Sequence, residues 1–440
     1  MTRYQIHIFI ATLTSLGLAI ATLPWIESPN PLGDGAFWHN SANLLADGRG
    51  FLHGISYLTN GAEIQAADHP PLFIVWLAAF SVIGLDGTVA HQVATGIVAA
   101  LCVPALATVG QKIGGPNVGT IVAWITAIHP VVWGWTKMTM SEPLAILMIA
   151  LLLIAALRVQ ISAQRNILKW PQLVVLGTIF GLATLTRSEL LIAGLAVVLI
   201  STASHDLRRW TFRSTAAGLV ALLVVSPWVI HNLNRFEEPV LLSVGAEVTL
   251  VATNCDDVYQ GKTVGYWSWR CISEGWEAAQ NSLLRSGISN PDQSQLAQEL
   301  DTRWRQYVSE NKLQAVKVVG FRLLRAFGIY KPRVQFELDK LEGRDYPVIY
   351  GAWGLYYLLI PLSLLGASLL WRRRKIALIV LAPFATAALT IAITFGNTRY
   401  RLGADVSMIV LSALSINAVA LKTRNLWNGL GEVSSEANQA

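Results

Sequence analysis

The sequence predicts an all-α polytopic membrane protein, and three observations carry that prediction. Of its 440 residues, 53% are hydrophobic and 14% charged, with 16 Trp and a mean hydropathy of +0.47; a soluble domain is less apolar and more charged. Apolar runs of roughly 16 to 22 residues recur along the chain, close to the length that crosses a bilayer as a helix. Basic residues fall in short clusters between those runs, so the net charge of +6 reads as a topology signal rather than a nucleic-acid surface.

The first run, "YQIHIFIATLTSLGLAIATLPWI", is too long for a signal-peptide core and has no small-residue cleavage site, so it reads as an uncleaved anchor. Arg3, "GQKIGG", Arg158 to Lys169, "HDLRRWTFR", "WRRRK" and the final "KTRN" mark the cytoplasmic side. Runs near 89–109, 118–136, 143–157, 173–186, 188–203, 214–230, 348–370, 376–395 and 403–421 connect these clusters in alternation. The expected architecture is a bundle of about 10–12 transmembrane helices. The pair flanking Thr186-Arg187-Ser188 reads equally as two short spans or a hairpin.

The alternation works only if "PPLFIVWLAAFSVIG" (70–84) does not cross. That stretch is short and opens with two prolines, so it is expected as a juxtamembrane or re-entrant helix in the first outer loop, 27–88. The chain then divides into an N-terminal transmembrane module (1–230), an outer segment (231–346) too long for a simple connection, C-terminal transmembrane helices (347–421) and a cytoplasmic tail (422–440). Within the outer segment, "SQLAQELDTRWRQYVSENKLQAVKVVGFRLLRAFG" has helical spacing with acids early and bases late, so that segment is expected to be mostly helical.

This topology puts four polar patches on the extracytoplasmic side: 33–70, "MTMSEP" (138–143), "TRSE" (186–189) and "GNTRYR" (396–401). Carboxylates near bilayer depth are costly and usually retained for function. Asp34, Asp68 and Glu142 are such acids, and each also reads as a helix-start residue: Asp34 as N-cap of a helix from Gly35, Asp68 at the head of "DHPP" as cap of the helix that follows, Glu142 before Pro143. Arg187, Arg399 and Arg401 are either snorkelling anchors or bidentate holders of a phosphate. His69 and His91 lie at the same face. Cys255 and Cys271 flank a polar stretch and read either as a disulfide or as two free thiols. "DDVYQGKT" lacks the first glycine of a phosphate loop, and neither a zinc-protease motif nor a serine nucleophile elbow occurs.

An N-terminal span followed by "GDGAFWHNSANLLADGRGF", "DHPPL", a "SEPL" turn, "LTR" and a late "TRYR" resembles the protein-mannosyltransferase and aminoarabinose-transferase branch of the glycosyltransferase-C superfamily. The likeness spans roughly 1–230 and 347–421, and the outer "NC..VY.GKTVGYW...C" is similar to that of certain bacterial members. The resemblance implies sugar transfer from a polyprenyl-phosphate carrier to an extracytoplasmic acceptor, with inversion, and Asp34 matches the family's catalytic acid position. Two departures stand out. Protein mannosyltransferases carry Asp-Glu where this chain has Asp34-Gly35, and an arginine common near the start of the second span is His91.

Residue chemistry then suggests roles. A polyprenyl phosphate leaves readily, so the site must take a proton from the attacking hydroxyl and hold the departing anion. Asp34 is the expected base; Asp68, His69, His91, Glu142, Arg187, Arg399 and Arg401 are the expected donor-phosphate side. Asp34, Asp68, His69 and Glu142 are also the candidate ligands of a divalent cation, Mg²⁺ or Mn²⁺. Tyr266, Trp267 and Trp269 offer flat faces for the acceptor, or form an interfacial belt. The alternative for the same charges is a transporter or flippase of a lipid-linked or anionic substrate, against which the lack of an internal repeat counts.

Overall fold

The computed structural model describes residues 1–23 and 33–437, with side chains to 423. The start of the expected first outer loop and the side chains of the tail from 424 on, including the last two residues of "KTRN", therefore lie outside the described residues. The described elements are helical; one isolated antiparallel bridge pairs Leu52 with Gln65.

Helix α1 (Arg3–Ala21) lays Ala11, Ser15 and Ala19 against the bundle and exposes Phe9, Ile10 and Leu13. Three short helices follow, α2 (Asp34–Ala46), α3 (Gly54–Asn60) and α4 (Leu72–Ser81). The stretch 70–84 forms a short helix, as expected: α4 has 10 residues and measures about 15 Å, half the hydrocarbon thickness of roughly 30 Å. The long α5 (Thr88–Gly114) comes next, then α6 (Pro116–Ile128), which bends by 58° at His129 into the short α7 (Pro130–Trp133) and a 3₁₀ turn at Thr136–Met138. Pro130 cannot donate to the preceding turn, which explains the break.

Helix α8 (Glu142–Gln164) is the buried centre of the bundle. Helices α9 (Trp170–Thr186) and α10 (Leu190–Thr202) pack on it as a pair broken at Arg187, and α11 (Leu207–Leu233) covers α9, exposing Leu219, Leu222 and Leu223. The insertion that follows holds α12 (Gly245–Ala252), α13 (Asp256–Tyr259), α14 (Trp269–Arg285), α15 (Gln293–Glu310), α16 (Lys312–Ala326) and α17 (Pro332–Leu341). Val251, Ala279, Leu283, Leu296 and Leu300 give it a small core of its own. Helices α18 (Tyr346–Leu370), α19 (Arg374–Ile393) and α20 (Leu402–Ala437) complete the chain.

Among the described residues six stretches are long and apolar enough to cross a membrane, seven if the bent pair is one span, and one of the six covers both α18 and α19. Counted separately, with the shorter apolar α9 and α10, they reach about ten apolar segments, the lower end of the expected range. The protein is a multi-pass membrane protein.

Candidate active site

Four breaks in the helices meet at one end of the bundle: the start of α2, the start of α8, the α9–α10 junction and the 3₁₀ turn Thr398–Arg401 ahead of α20. Each break carries an ionisable side chain. Glu142, fully buried, is the hub: its Oε1 accepts from Arg187 Nη1 at 2.9 Å and from Arg399 Nε at 2.7 Å. Arg399 Nη2 reaches on to Asp34 Oδ2 at 2.9 Å, and Arg187 Nε to Glu189 Oε1 at 2.5 Å. Residues separated by most of the chain thus form one continuous chain of charges.

Local structure explains the aim of each group. Asn397 caps the 3₁₀ turn by accepting from the Arg399 N–H at 2.9 Å, which fixes the backbone under that guanidinium. Trp135, almost wholly buried, lies under Arg399 with the guanidinium carbon 5.8 Å from its ring centroid, and Arg344 covers it at 4.6 Å. Gly35 lets the first turn of α2 press against the Thr136–Met138 turn, since a Cβ there would stand 2.1 Å from the Met138 carbonyl oxygen. That contact also rationalises the Asp34-Gly35 pair: no side chain fits at position 35 in this packing.

Asp34 does not cap its helix. The helix begins at Asp34 itself behind Gly33, without a side-chain capping bond, and the carboxylate turns to Arg399 instead. Burial opposes its ionisation, but the neighbouring Arg399, with His69 and Arg187 further off, outweighs burial and holds the carboxyl below the usual carboxylate range. His69 stacks on Trp38 at 4.5 Å, and burial keeps its imidazole below the ordinary histidine value despite Asp34 and Asp68 nearby.

Other expected members stand apart. Asp68 neither caps α4, whose N-cap is Pro71, nor joins the cluster; it accepts from Gln293 Nε2 at 3.0 Å and faces His53 at 3.7 Å. His91 is buried between His39 Nδ1 and Ser81 Oγ, each at 2.9 Å. Arg401 is sealed under α18, paired to Asp405 at 3.1 Å with its guanidinium carbon 3.6 Å from the Tyr356 ring centroid. Nor do the four candidate metal ligands gather: Asp34 and Glu142 share a guanidinium while Asp68 is held elsewhere, and among the described residues no three His, Cys, Asp or Glu side chains could hold an ion.

On the insertion side, Cys255 and Cys271 form a disulfide, resolving that alternative. The loop it closes buries Tyr266 against Leu338 and Phe395, so that ring offers no free face to an acceptor, and half-buries Trp267; the two donate to Glu342 Oε1 at 2.6 and 3.2 Å, and Asn397 donates to the same oxygen. Trp269 stacks edge-on to Trp267 at 5.2 Å and is 65% exposed. The aromatic patch therefore reaches the Arg399 turn through Glu342. Sequence reasoning did not single out Glu342, Asn397, Trp135 or Glu189 individually. Glu189 alone had a signal, as an acid two residues from an arginine in an apolar stretch.

Below the guanidiniums a narrow cleft with an internal volume of about 30 Å³ opens between α8, α10, α19 and α20. Arg187, Glu189, Arg399 and Tyr400 line its polar end, and Ile149, Leu190, Ala193 and Ala387 are among its apolar walls. Among the described residues Arg187 Nη2 and Arg399 Nη1 have no hydrogen-bond partner, and Glu142 Oε2 is buried without one.

No curated protein matches the chain in sequence. Residues 68–231 match the family model of dolichyl-phosphate-mannose-protein mannosyltransferases. Among solved structures, the oligosaccharyltransferase AglB from Archaeoglobus fulgidus, in complex with an inhibitory peptide and a dolichol-phosphate, superposes with a TM-score of 0.54 at 13% identity. The match covers 98% of this chain and 52% of that one, so this chain spans about half the archaeal protein's length. The same protein tethered to an acceptor peptide gives 0.54 at 13% identity over 97% and 50%. ArnT from Cupriavidus metallidurans bound to undecaprenyl phosphate gives 0.42 at 13% over 94% and 78%. The family model thus matches 68–231, and nearly the whole chain shares the fold of the archaeal oligosaccharyltransferase.

Proposed function

We propose that the protein transfers a sugar from a polyprenyl-phosphate carrier to an extracytoplasmic acceptor, with inversion at the anomeric carbon. One observation carries this reading: two guanidiniums with unused N–H groups stand at the polar end of an apolar cleft between membrane helices, beside a carboxylate held ionised. A phosphate at that end would take Arg187 Nη2 and Arg399 Nη1 while an apolar chain lies between α10 and α19. Three carboxylates face two guanidiniums there, so an anion must use the N–H groups the carboxylates leave free.

In the reaction, the acceptor hydroxyl oxygen attacks the anomeric carbon, the bond from that carbon to the phosphate oxygen breaks, and its electron pair leaves on the phosphate. The hydroxyl proton passes to Asp34, whose Oδ1 has no partner in the ion-pair chain. Arg187 and Arg399 stabilise the charge that develops on phosphate. Glu142 ties the two guanidiniums together at the polar end of the cleft. Trp267 and Trp269 form the acceptor side, with the buried Tyr266 behind them, joined to the Arg399 turn through Glu342 and Asn397.

AglB and ArnT are solved with dolichol-phosphate and undecaprenyl phosphate respectively, and the family model is that of dolichyl-phosphate-mannose enzymes; polyprenyl-phosphate sugars are the donors to try first. Purified protein given such donors and an extract of envelope acceptors should transfer label. Asp34→Asn should abolish transfer, a loss of roughly 10²- to 10⁴-fold for a missing base, while thermal stability stays near wild type. Full activity in that variant would remove Asp34 from the role of base.

A further inference from the structure

We propose that the α16–α17 hairpin dips its tip into the bilayer beside α18 and holds anionic phospholipid headgroups with Lys331 and Arg333. The hairpin runs down the flank of α18: Glu337 meets Tyr346, Phe336 packs on Tyr350 and Trp353, and the turn lies against Tyr356 and Tyr357. Those two hydroxyls donate to the carbonyls of Phe327 and Gly328 at 3.1 and 2.9 Å, and Phe327 faces Phe384 of α19 at 5.4 Å. Gly328 has a positive φ of 72°, and a Cβ there would meet Trp353 at 2.3 Å, so the tip is seated tightly.

Depth follows from helix geometry. Tyr357 lies roughly 16 Å along α18 from Tyr346. The 25 residues of α18 measure about 37 Å, some 7 Å more than the hydrocarbon core of about 30 Å. Even if all the excess projects at the Tyr346 end, the tip sits at least about 9 Å inside the apolar layer, at or below the depth of about 5–10 Å typical of interfacial helices.

The side chains at the tip suit that place. Ile329 is 71% and Leu324 38% exposed, and they continue the outward apolar surface of Leu358 and Leu364 on α18. Tyr346 and Tyr350 are exposed above them, the belt expected where a membrane helix leaves the hydrocarbon. Lys331 and Arg333 are exposed and have no ion-pair partner among the described residues; long stems let such cations reach up to phosphate headgroups. Each cation near an anionic surface is worth roughly a five-fold preference.

An environment-sensitive fluorophore on Ile329→Cys, in the full chain reconstituted into nanodiscs, tests depth. Nitroxide-labelled phospholipids should quench it several-fold more than the same fluorophore on the exposed Ser309→Cys. In discs mixing phosphatidylglycerol with phosphatidylcholine, the wild-type protein should retain phosphatidylglycerol in preference, and Lys331→Gln with Arg333→Gln should lower that preference about 5- to 25-fold. Equal quenching at 329 and 309, or a lipid preference unmoved by the double substitution, overturns the proposal. Neither measurement depends on the chemistry at Asp34.

Discussion

Gly35→Ala isolates the geometry of the site with the smallest chemical change. The added Cβ would stand 2.1 Å from the Met138 carbonyl oxygen, where ordinary contact begins at 3.4 Å. Backbone faces backbone there, so the first turn of α2 must retreat by about 1 Å, at a cost of roughly 1–3 kcal/mol for overpacking. The same retreat carries Asp34 with it and stretches its 2.9 Å bond to Arg399 Nη2 beyond hydrogen-bond reach. A displacement of about 1 Å at a reacting group costs on the order of 10²-fold in rate. The assay is kcat/KM for sugar transfer, beside the thermal midpoint in detergent. A paired control, Gly218→Ala on α11, has open space around its Cβ and should leave activity unchanged while gaining about 0.5–1 kcal/mol of helix stability. Wild-type kcat/KM in Gly35→Ala would refute the claim that this contact aims Asp34.

Glu142→Gln removes the carboxylate that both guanidiniums share; since Arg187 keeps Glu189 and Arg399 keeps Asp34, the cost should fall near the low end of the roughly 3–5 kcal/mol for breaking a buried pair, read as a drop in thermal midpoint together with lost transfer. The pH profile should be flat on its acid side down to about pH 4, because Arg399 holds Asp34 below its ordinary value of about 3.9 and the base stays ionised; an acid limb near pH 6 would count against that pairing. The corresponding stability is present above the unfolded Asp value and is lost as pH falls through the lower folded one. His69, buried in its neutral form, instead disfavours the folded state once pH falls below about 6.5, where the unfolded imidazole takes up a proton first. Replacing Cys255 and Cys271 by Ser should cost about 3 kcal/mol, the magnitude for closing a loop of about 15 residues, and should expose Tyr266 and Trp267 to proteolysis nearby before the membrane helices unfold.

Much of this protein was legible along the chain. Helix positions, the short helix within 70–84 and the break at Arg187 follow from hydropathy, prolines and basic clusters, since each is a local property. The same reasoning found Asp34, Glu142, Arg187 and Arg399. It also admitted Asp68, His91 and Arg401, residues of the right type in the right patches whose side chains turn to Gln293, Ser81 and Asp405 instead. Arg399 and Arg401 show the limit plainly: two positions apart in one turn, one enters the cluster and the other is buried under α18. Helical Asp34 failed as a cap because Arg399, a charged donor, offers more than a backbone N–H.

By itself the sequence determined that the chain is helical and spans a membrane, because a bilayer forces each crossing segment to satisfy its own backbone and to be apolar over its whole length. It also determined which residue types are available at the helix breaks. Only the tertiary structure decided which of them meet. Asp34 and Arg399 are 365 positions apart, and whether they touch depends on how α2, α8 and the turn before α20 pack, down to the absence of a single Cβ at Gly35.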